Sequence, residues 1–382
     1  MRKLASIQTI KSLEPIPGAD QIEKATILGW HVVVKRGEFS VGIPCVYFEI
    51  DSLLPKTEAF SFLEKSGSKK ILIADGVWAE GYRLRTVKLK GQVSQGLALP
   101  ITLFAHLLPT HLKEGQDVTK ELGVVKYEVY EPVPVFQKSS RKPVIFPSWL
   151  PKSIGMFVKR HFPTLAITLW GSNLTHFPEF IPKTDETRLQ AVPDVLTRHT
   201  NKLFYVTEKL DGSSITVFYK DGLFGVCSRT IMLPEDPNNK YWKAALALEL
   251  DKSMPEWAKW YGNFALQGEL VGEGIQGNKY HIKGQKIFFY QAYNIDRRGY
   301  LNGFTGLRNL FNLPTVPVLT HHFTLEGKTI DEMVELSKGK SQLASVKREG
   351  IVIRPHMEET DPELGRLSFK VINPDFLLEH KE

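Results

Sequence analysis

The stretch FYVTEKLDG, residues 204–212, runs through apolar and β-branched residues to Lys209, with Glu208 before it, Asp211 two residues after it and Gly212 closing the turn. A lysine on the lip of a turn between two buried strands can do what an exposed lysine cannot. Burial or neighbouring cations lower an amine's pKa until it can act as a nucleophile at neutral pH. A lone K-x-D-G occurs easily by chance, so the weight falls on the rest of the chain. Charged or aromatic residues recur within or beside strands otherwise suited to burial: Arg229 in SRT, Glu269 in GELVG, Phe289 in FFYQAYNI, Glu349 in EGIVIRP and Lys370 in SFKVI. Buried unpaired charge is expensive, and repeated placements of this kind imply that something charged sits among them.

These residues need a scaffold, and the chain divides into three stretches. Residues 1–105 are β-rich, with short runs such as TILGWHVVVK and PCVYFEI separated by Gly, Pro and Asp turns, which suggests a small barrel. Within it, RLRTVKLKG places Arg83 and Arg85 on one face of a regular strand and Lys88 and Lys90 on the other. A bulge or turn near Thr86-Val87 would bring all four together. Taken alone, the run reads as a solvated edge guarded by lysines. Residues 106–175 hold a proline-rich piece with a basic cluster at Lys138, Arg141 and Lys142, suited to an extended connector.

Residues 176–382 read as α+β with a largely antiparallel sheet. KTDETRLQ predicts a helix capped by Thr184, and the run from Asn239 to Gly262 predicts one amphipathic helix. KDG at 220–222 predicts a hairpin turn, and TIDEMVELSKGK a helix starting at Thr329. GEGIQG, residues 272–277, satisfies G-x-G-x-x-G but is followed by loop and strand, not by the helix whose N-terminus a pyrophosphate needs; a dinucleotide site is excluded.

Composition narrows the class further. The chain of 382 residues is 42% hydrophobic and 24% charged, as ordinary globular proteins are, and long enough for two domains. Its opening lacks the apolar core of a signal peptide, and no run of apolar residues is long enough to span a bilayer, so no membrane partner is expected. Two cysteines, Cys45 and Cys227, leave no disulfide framework or cysteine zinc site and suit a reducing cytoplasm. The net charge of +7 lies wholly in residues 1–200, with 26 Lys+Arg against 19 Asp+Glu, making that half the better candidate for a polyanion surface.

The ordered set EKLDG … SRT … GELVG … FFYQAYNI … EGIVIRP … SFKVI resembles the covalent nucleotidyltransferase superfamily of polynucleotide ligases and capping enzymes. It is most similar to ATP-dependent RNA ligases of the branch with an N-terminal OB domain. FPEFIPKTDETRLQ resembles the segment leading into their catalytic domain, RLRTVKLKGQVSQGL resembles their OB fold, and the chain ends 12 residues after Lys370, where DNA ligases and capping enzymes continue into another OB domain. The resemblance covers about 1–105 and 176–382. It implies an OB-type β-barrel followed by an ATP-grasp-like, antiparallel-sheet nucleotidyltransferase domain.

The implied reaction has three steps: Lys209 takes AMP from ATP, AMP passes to an RNA 5′-phosphate, and a 3′-hydroxyl displaces AMP. On this resemblance Lys370 neutralises the α-phosphate and discourages protonation of Lys209. Arg229 holds a phosphate, Glu269 meets the ribose or a metal through water, Phe289 stacks on adenine, and Glu349 lies near Mg²⁺ or Mn²⁺. Glu208, Asp211 and Gly212 complete the nucleotide site. Family members carry two lysines in the last strand; here Ser368 and Ile372 flank Lys370, and Arg354 or a metal ion is left to compensate. Arg83, Arg85, Lys88 and Lys90 become candidate RNA phosphate contacts. The implied protein is a monomer that seals nicks in RNA repair. Its rivals are a DNA ligase or capping-type enzyme, and a non-catalytic RNA-binding protein.

Overall fold

The computed structural model describes residues 3–72, 77–127, 175–301, 307 and 310–380. In the first half, strands β1 (Ala5–Pro15), β2 (Ile22–Ile27), β3 (Trp30–Lys35), β4 (Pro44–Phe48), β5 (Ser52–Pro55), β6 (Lys69–Leu72), β7 (Trp78–Arg83), β8 (Val87–Leu89), β9 (Gln92–Ser94), β10 (Leu97–Pro100) and β11 (Val125–Lys126) follow one another. They build sheets of order β10-β4-β1-β2-β3 and β11-β5-β7-β6, with β8-β9 as a separate hairpin. β1 pairs with both β4 and β2, and its register shifts between Ile10 and Ser12. That bulge lets one long strand curve from one partner to the next, as a barrel requires.

This unit extends past residue 105, where the sequence reading ended it. Val118, Leu122 and Val124 are buried in one cluster with Ile7, Phe48, Phe60 and Phe104, and β11 pairs with β5. The apolar residues beyond 105 are spaced too irregularly to announce themselves as part of a barrel. The basic cluster Lys138, Arg141 and Lys142 lies outside the described residues.

The second half contains β12 (Thr175–His176), β13 (Thr187–Arg188), β14 (Phe204–Lys209), β15 (Ser213–Lys220), β16 (Leu223–Cys227), β17 (Ile231–Leu233), β18 (Phe264–Gly272), β19 (Gln285–Asn294), β20 (Gly299–Tyr300), β21 (Val318–Phe323), β22 (Gly350–Pro355), β23 (Thr360–Asp361), β24 (Gly365–Arg366) and β25 (Phe369–Ile372). Two sheets result, β12-β17-β16-β15-β18-β19-β20 and β13-β25-β22-β14-β21. Within them β13 and β25 run parallel, and the other neighbours pair antiparallel. β14 lies between β22 and β21 and is buried from Phe204 to Glu208, which is why it reads as a continuous apolar run. The predicted hairpin joins β15 to β16, with Asp221 at φ 48° and Gly222 at φ 84°, the left-handed pair that a tight hairpin turn demands.

Two helical expectations need correction. The helix predicted over 239–262 is two, α1 (Lys240–Ala247) and α2 (Leu250–Tyr261), broken where Glu249 turns to φ 50°. At 100° per residue, Leu250 and Met254 would sit about 80° and 120° around a straight helix from Trp242. The break brings all three into the core that β15, β18 and β19 also line. The helix predicted at Thr184 does not form. The chain reaches β13, which pairs with β25 (Thr187↔Phe369, Arg188↔Lys370), so tertiary pairing overrides the capping signal. α3 (Ile330–Ser337) forms as expected, with Thr329 and Glu332 making a reciprocal capping box. Cys45 and Cys227 are buried and free. Among the described residues no helix is long and apolar enough to cross a membrane.

Candidate active site

Lys209 ends β14, and the chain crosses to the other sheet through Leu210-Asp211-Gly212. Gly212 is needed for this crossing, because a Cβ there would lie 2.5 Å from the Leu270 carbonyl oxygen and 2.8 Å from Glu269 Cγ. The close approach brings the lysine's turn against the strand that carries Glu269. Asp211 is held by its backbone N–H donating to the Tyr280 hydroxyl at 2.7 Å and by its carboxylate accepting from Lys279 Nζ at 2.6 Å.

Lys209 is half-buried, and its Nζ donates to Glu349 Oε2 at 2.6 Å. Register explains the contact: Lys209 pairs with Gly350, so Glu349 sits one residue from the lysine's level. Burial pushes the amine down, but Glu349, Glu269 and Asp211 outweigh it and hold Lys209 above the ordinary lysine range. A lowered amine was expected; in the resting state the local carboxylates win.

Lys370 is depressed, first by burial and then by the charges of Lys209 and Arg188, against the pull of Asp185. Asp185 Oδ1 accepts from Lys370 Nζ at 2.9 Å, and its Oδ2 accepts from Arg229 Nη2 at 3.2 Å. Of the two replacements left open for the missing lysine, Arg354 is not placed for it. It is buried against Glu186, with its guanidinium 5.3 Å from the Tyr290 ring. Arg188 instead pairs in register with Lys370.

Phe289 is the clear correction. It is fully buried in the core behind the sheet, with Ile287, Leu266 and Leu270, and presents no face to the pocket. Phe288 points the other way: it pairs with Glu269 and packs beside Tyr205, Leu210, Val271 and Tyr280. Strand periodicity says that neighbours face opposite sides, but not which side is core. Glu208 likewise alternates away from Lys209; its buried carboxylate accepts from Gln342 N–H at 2.8 Å, and burial raises its pKa. It supports the strand rather than reaching the lysine.

The four basic residues of the first unit separate. Arg83 pairs with Asp51 at 3.4 Å and stacks over Tyr127 at 4.3 Å, and the same Asp51 accepts from Arg188 at 2.9 Å. Arg83 therefore helps to join the two units, as does Gly29 N–H donating to the Gln190 carbonyl at 2.8 Å. Arg85 is half-buried, whereas Lys88 and Lys90 stand exposed on the β8-β9 hairpin.

A strand-end lysine ringed by carboxylates, with a second lysine and an arginine sharing one anion, is a site built for phosphate chemistry. The family model described as an OB-fold domain matches residues 4–101, and the RNA ligase model matches residues 202–372. An apo aspartate-to-alanine variant of Naegleria gruberi RNA ligase is 34% identical, with 100% of this chain and 98% of that chain covered and a TM-score of 0.78. This chain belongs to the RNA ligase family. The Naegleria enzyme with pyrophosphate (34% identity, 100% and 99% covered, TM-score 0.77) and a lysine-to-methionine variant with AMP and Mn (33%, 100% and 99%, TM-score 0.78) are similar to it in the same way. No curated protein sequence matches.

For a member of the RNA ligase family, Asp185, Glu186, Arg188, Lys279 and Tyr280 are what sequence reasoning missed. The first three sat in KTDETR, read as a helix start; the last two came after the rejected glycine motif and passed as loop. Glu269 offers a test of the electrostatics. Burial first, then Glu349, Asp211 and Glu186, push its carboxyl from 4.5 up to about 8 against the pull of Lys209. The folded state thus binds this proton more tightly than the unfolded chain, and stability falls as pH rises from about 4.5 to about 8. Glu269→Gln is expected to stabilise the ligand-free protein by about 1–2 kcal/mol at pH 8.5 and negligibly at pH 5. Urea unfolding at the two pH values checks it, and equal shifts at both would refute the assignment.

Proposed function

We propose that this chain is an ATP-dependent RNA ligase that seals nicks in duplex RNA, joining a 3′-hydroxyl to a 5′-phosphate. The observation that carries the reading is the half-buried Lys209, its Nζ 2.6 Å from Glu349 and within the fields of Glu269 and Asp211. In the first step the Lys209 amine attacks the α-phosphorus of ATP, the bond to the pyrophosphate oxygen breaks, and a phosphoramide to AMP forms. An RNA 5′-phosphate oxygen then takes the adenylyl group and frees the lysine. Finally the 3′-hydroxyl attacks that 5′-phosphate, AMP leaves, and a phosphodiester remains.

The resting ammonium cannot attack, so the Lys209–Glu349 contact must open and the amine must give up a proton to solvent before the N–P bond forms. Lys370, with Arg188 beside it, then places positive charge where a second protonated amine is disfavoured and the α-phosphate needs neutralising. Arg229 grips a phosphate through its planar fork. Phe288, on the pocket side of β19, is the ring we assign to adenine.

Glu269 and Glu349 are oxygen donors crowded enough that one stays protonated near neutrality, which marks a pocket short of positive charge and suits Mg²⁺ or Mn²⁺. These two side chains would hold the cation largely through water, and its chemistry would be the neutralisation of phosphate charge.

Lys88 and Lys90 are the first-unit residues we assign to RNA phosphates. Nick sealing is favoured because the barrel is fastened beside the catalytic unit through Asp51–Arg188 and Gly29–Gln190, offering a duplex a second surface next to the break. The test compares sealing of a nicked RNA duplex with joining of the same two ends as loose single strands. Faster sealing of the nick, by about tenfold or more, is expected from the gain in effective concentration. Equal or faster joining of loose ends would remove the nick assignment while leaving the ligase chemistry intact.

A further inference from the structure

Asp185 has no part in the chemistry above, yet it touches both cations assigned to phosphates. One carboxylate spans Lys370 Nζ at 2.9 Å and Arg229 Nη2 at 3.2 Å, as two oxygens of a phosphate would. The charge of Lys126, from the first unit, bears on it as well. Neighbouring contacts fix the position of this backbone: Thr184 Oγ1 lies 2.9 Å from the Tyr290 hydroxyl, and Glu186 pairs with buried Arg354. The Asp185 side chain is 52% exposed and that of Arg229 48%, while Lys370 at 17% is rooted in the sheet. Asp185 therefore enters from the solvent side, on a segment anchored at both flanks, and can swing back into water without disturbing those anchors.

We propose that Asp185 is an intramolecular competitor for the phosphates of the nucleotide: it bridges Lys370 and Arg229 in the free enzyme, yields to the phosphate chain of ATP, and returns as pyrophosphate leaves. The proposal rests on the reading of Lys370 and Arg229 as phosphate-binding residues. A carboxylate carries less charge than a polyphosphate, and ion pairs this exposed are weak, so ATP displaces it. The same weak pairing still competes with departing pyrophosphate and opposes the return of that product to the adenylylated lysine. A purely structural Asp185, one that merely orients the two cations, predicts the opposite sign, since its loss would weaken anion binding.

The experiment measures equilibrium binding of inorganic pyrophosphate to the full chain by calorimetry, together with the KM for ATP in adenylylation. Asp185→Asn keeps the shape and removes the charge; it is expected to bind pyrophosphate about three- to tenfold more tightly and to lower the KM for ATP in proportion. Asp185→Ala should move both in the same direction, and a thermal melt confirms that each variant is folded. Unchanged or weaker pyrophosphate binding in both folded variants overturns the proposal, as does an effect confined to RNA bearing a 5′-phosphate. Arg229→Ala separates the two layers. If it loses pyrophosphate while Asp185→Asn gains nothing, the phosphate site stands and the competitor falls; if Arg229→Ala binds as well as wild type, the phosphate reading itself has failed.

Discussion

After incubation with ATP and a divalent cation, denaturing mass spectrometry is expected to find this chain heavier by one adenylyl group and Lys209→Ala unchanged. A phosphoramide is covalent and survives unfolding, so the adduct reports the bond and not the affinity of the pocket. Removing a nucleophile from an assembled site leaves only binding and electrostatic contributions, and a loss of adenylylation on the order of 10⁴-fold or more should result. Lys209→Arg should be equally inert, because a guanidinium stays protonated where an amine can lose its proton. Equal adducts on wild type and Lys209→Ala would place the nucleophile elsewhere and sink the proposed chemistry. The local carboxylates give this result a further meaning. Lys209 rests as an ammonium paired with Glu349, so adduct formation also reports that ligand binding has opened the pair.

The largest effect on stability is expected at Glu186, far from obvious in the sequence. Its carboxylate meets Arg354, whose side chain is 2% exposed in the middle of the second sheet. Glu186→Ala leaves that guanidinium without its counter-charge, and about 3–5 kcal/mol of stability should be lost. Urea unfolding of the variant measures it. Replacing both partners, Glu186→Ala with Arg354→Met, should cost less than the single change, since no uncompensated charge then remains buried. A single-variant loss under about 1 kcal/mol would show that the Tyr290 ring and other neighbours satisfy Arg354 without Glu186.

Some of this was legible early because its cause is local. The Asp221-Gly222 hairpin and the Thr329–Glu332 capping box each close within four residues, so the chain announces them wherever they occur. Lys209 was legible for a related reason: a buried strand ending in Lys-x-Asp-Gly is a short-range pattern, and the motifs after it come in a specific order. The break between α1 and α2 was less so. Helix propensity is interrupted within the run only by Pro255, inside α2, and the turn at Glu249 is where Trp242, Leu250 and Met254 come to share one core.

Phe288 and Phe289 mark the boundary. Period-2 alternation sends them to opposite faces, but β18 and β19 shift register between Gln267 and Gly268, and that shift is a property of the pair of strands. KTDETR marks it again. Its acidic residues near a threonine are equally good as a helix start or as counter-ions, and the choice was made by Lys370, Arg229 and Arg354, all distant in the chain.

By itself, then, the sequence determined the order of motifs, the lysine proposed as nucleophile, the two-unit plan and the largely antiparallel character of the second unit. Tertiary structure alone decided which aromatic faces the pocket, which arginine accompanies Lys370, that Arg83 joins the units, and that Lys209 rests protonated. The physical reason is range. Turn geometry, capping and strand periodicity act over a few residues, whereas ion pairing and desolvation depend on groups that meet only after two sheets have closed around them.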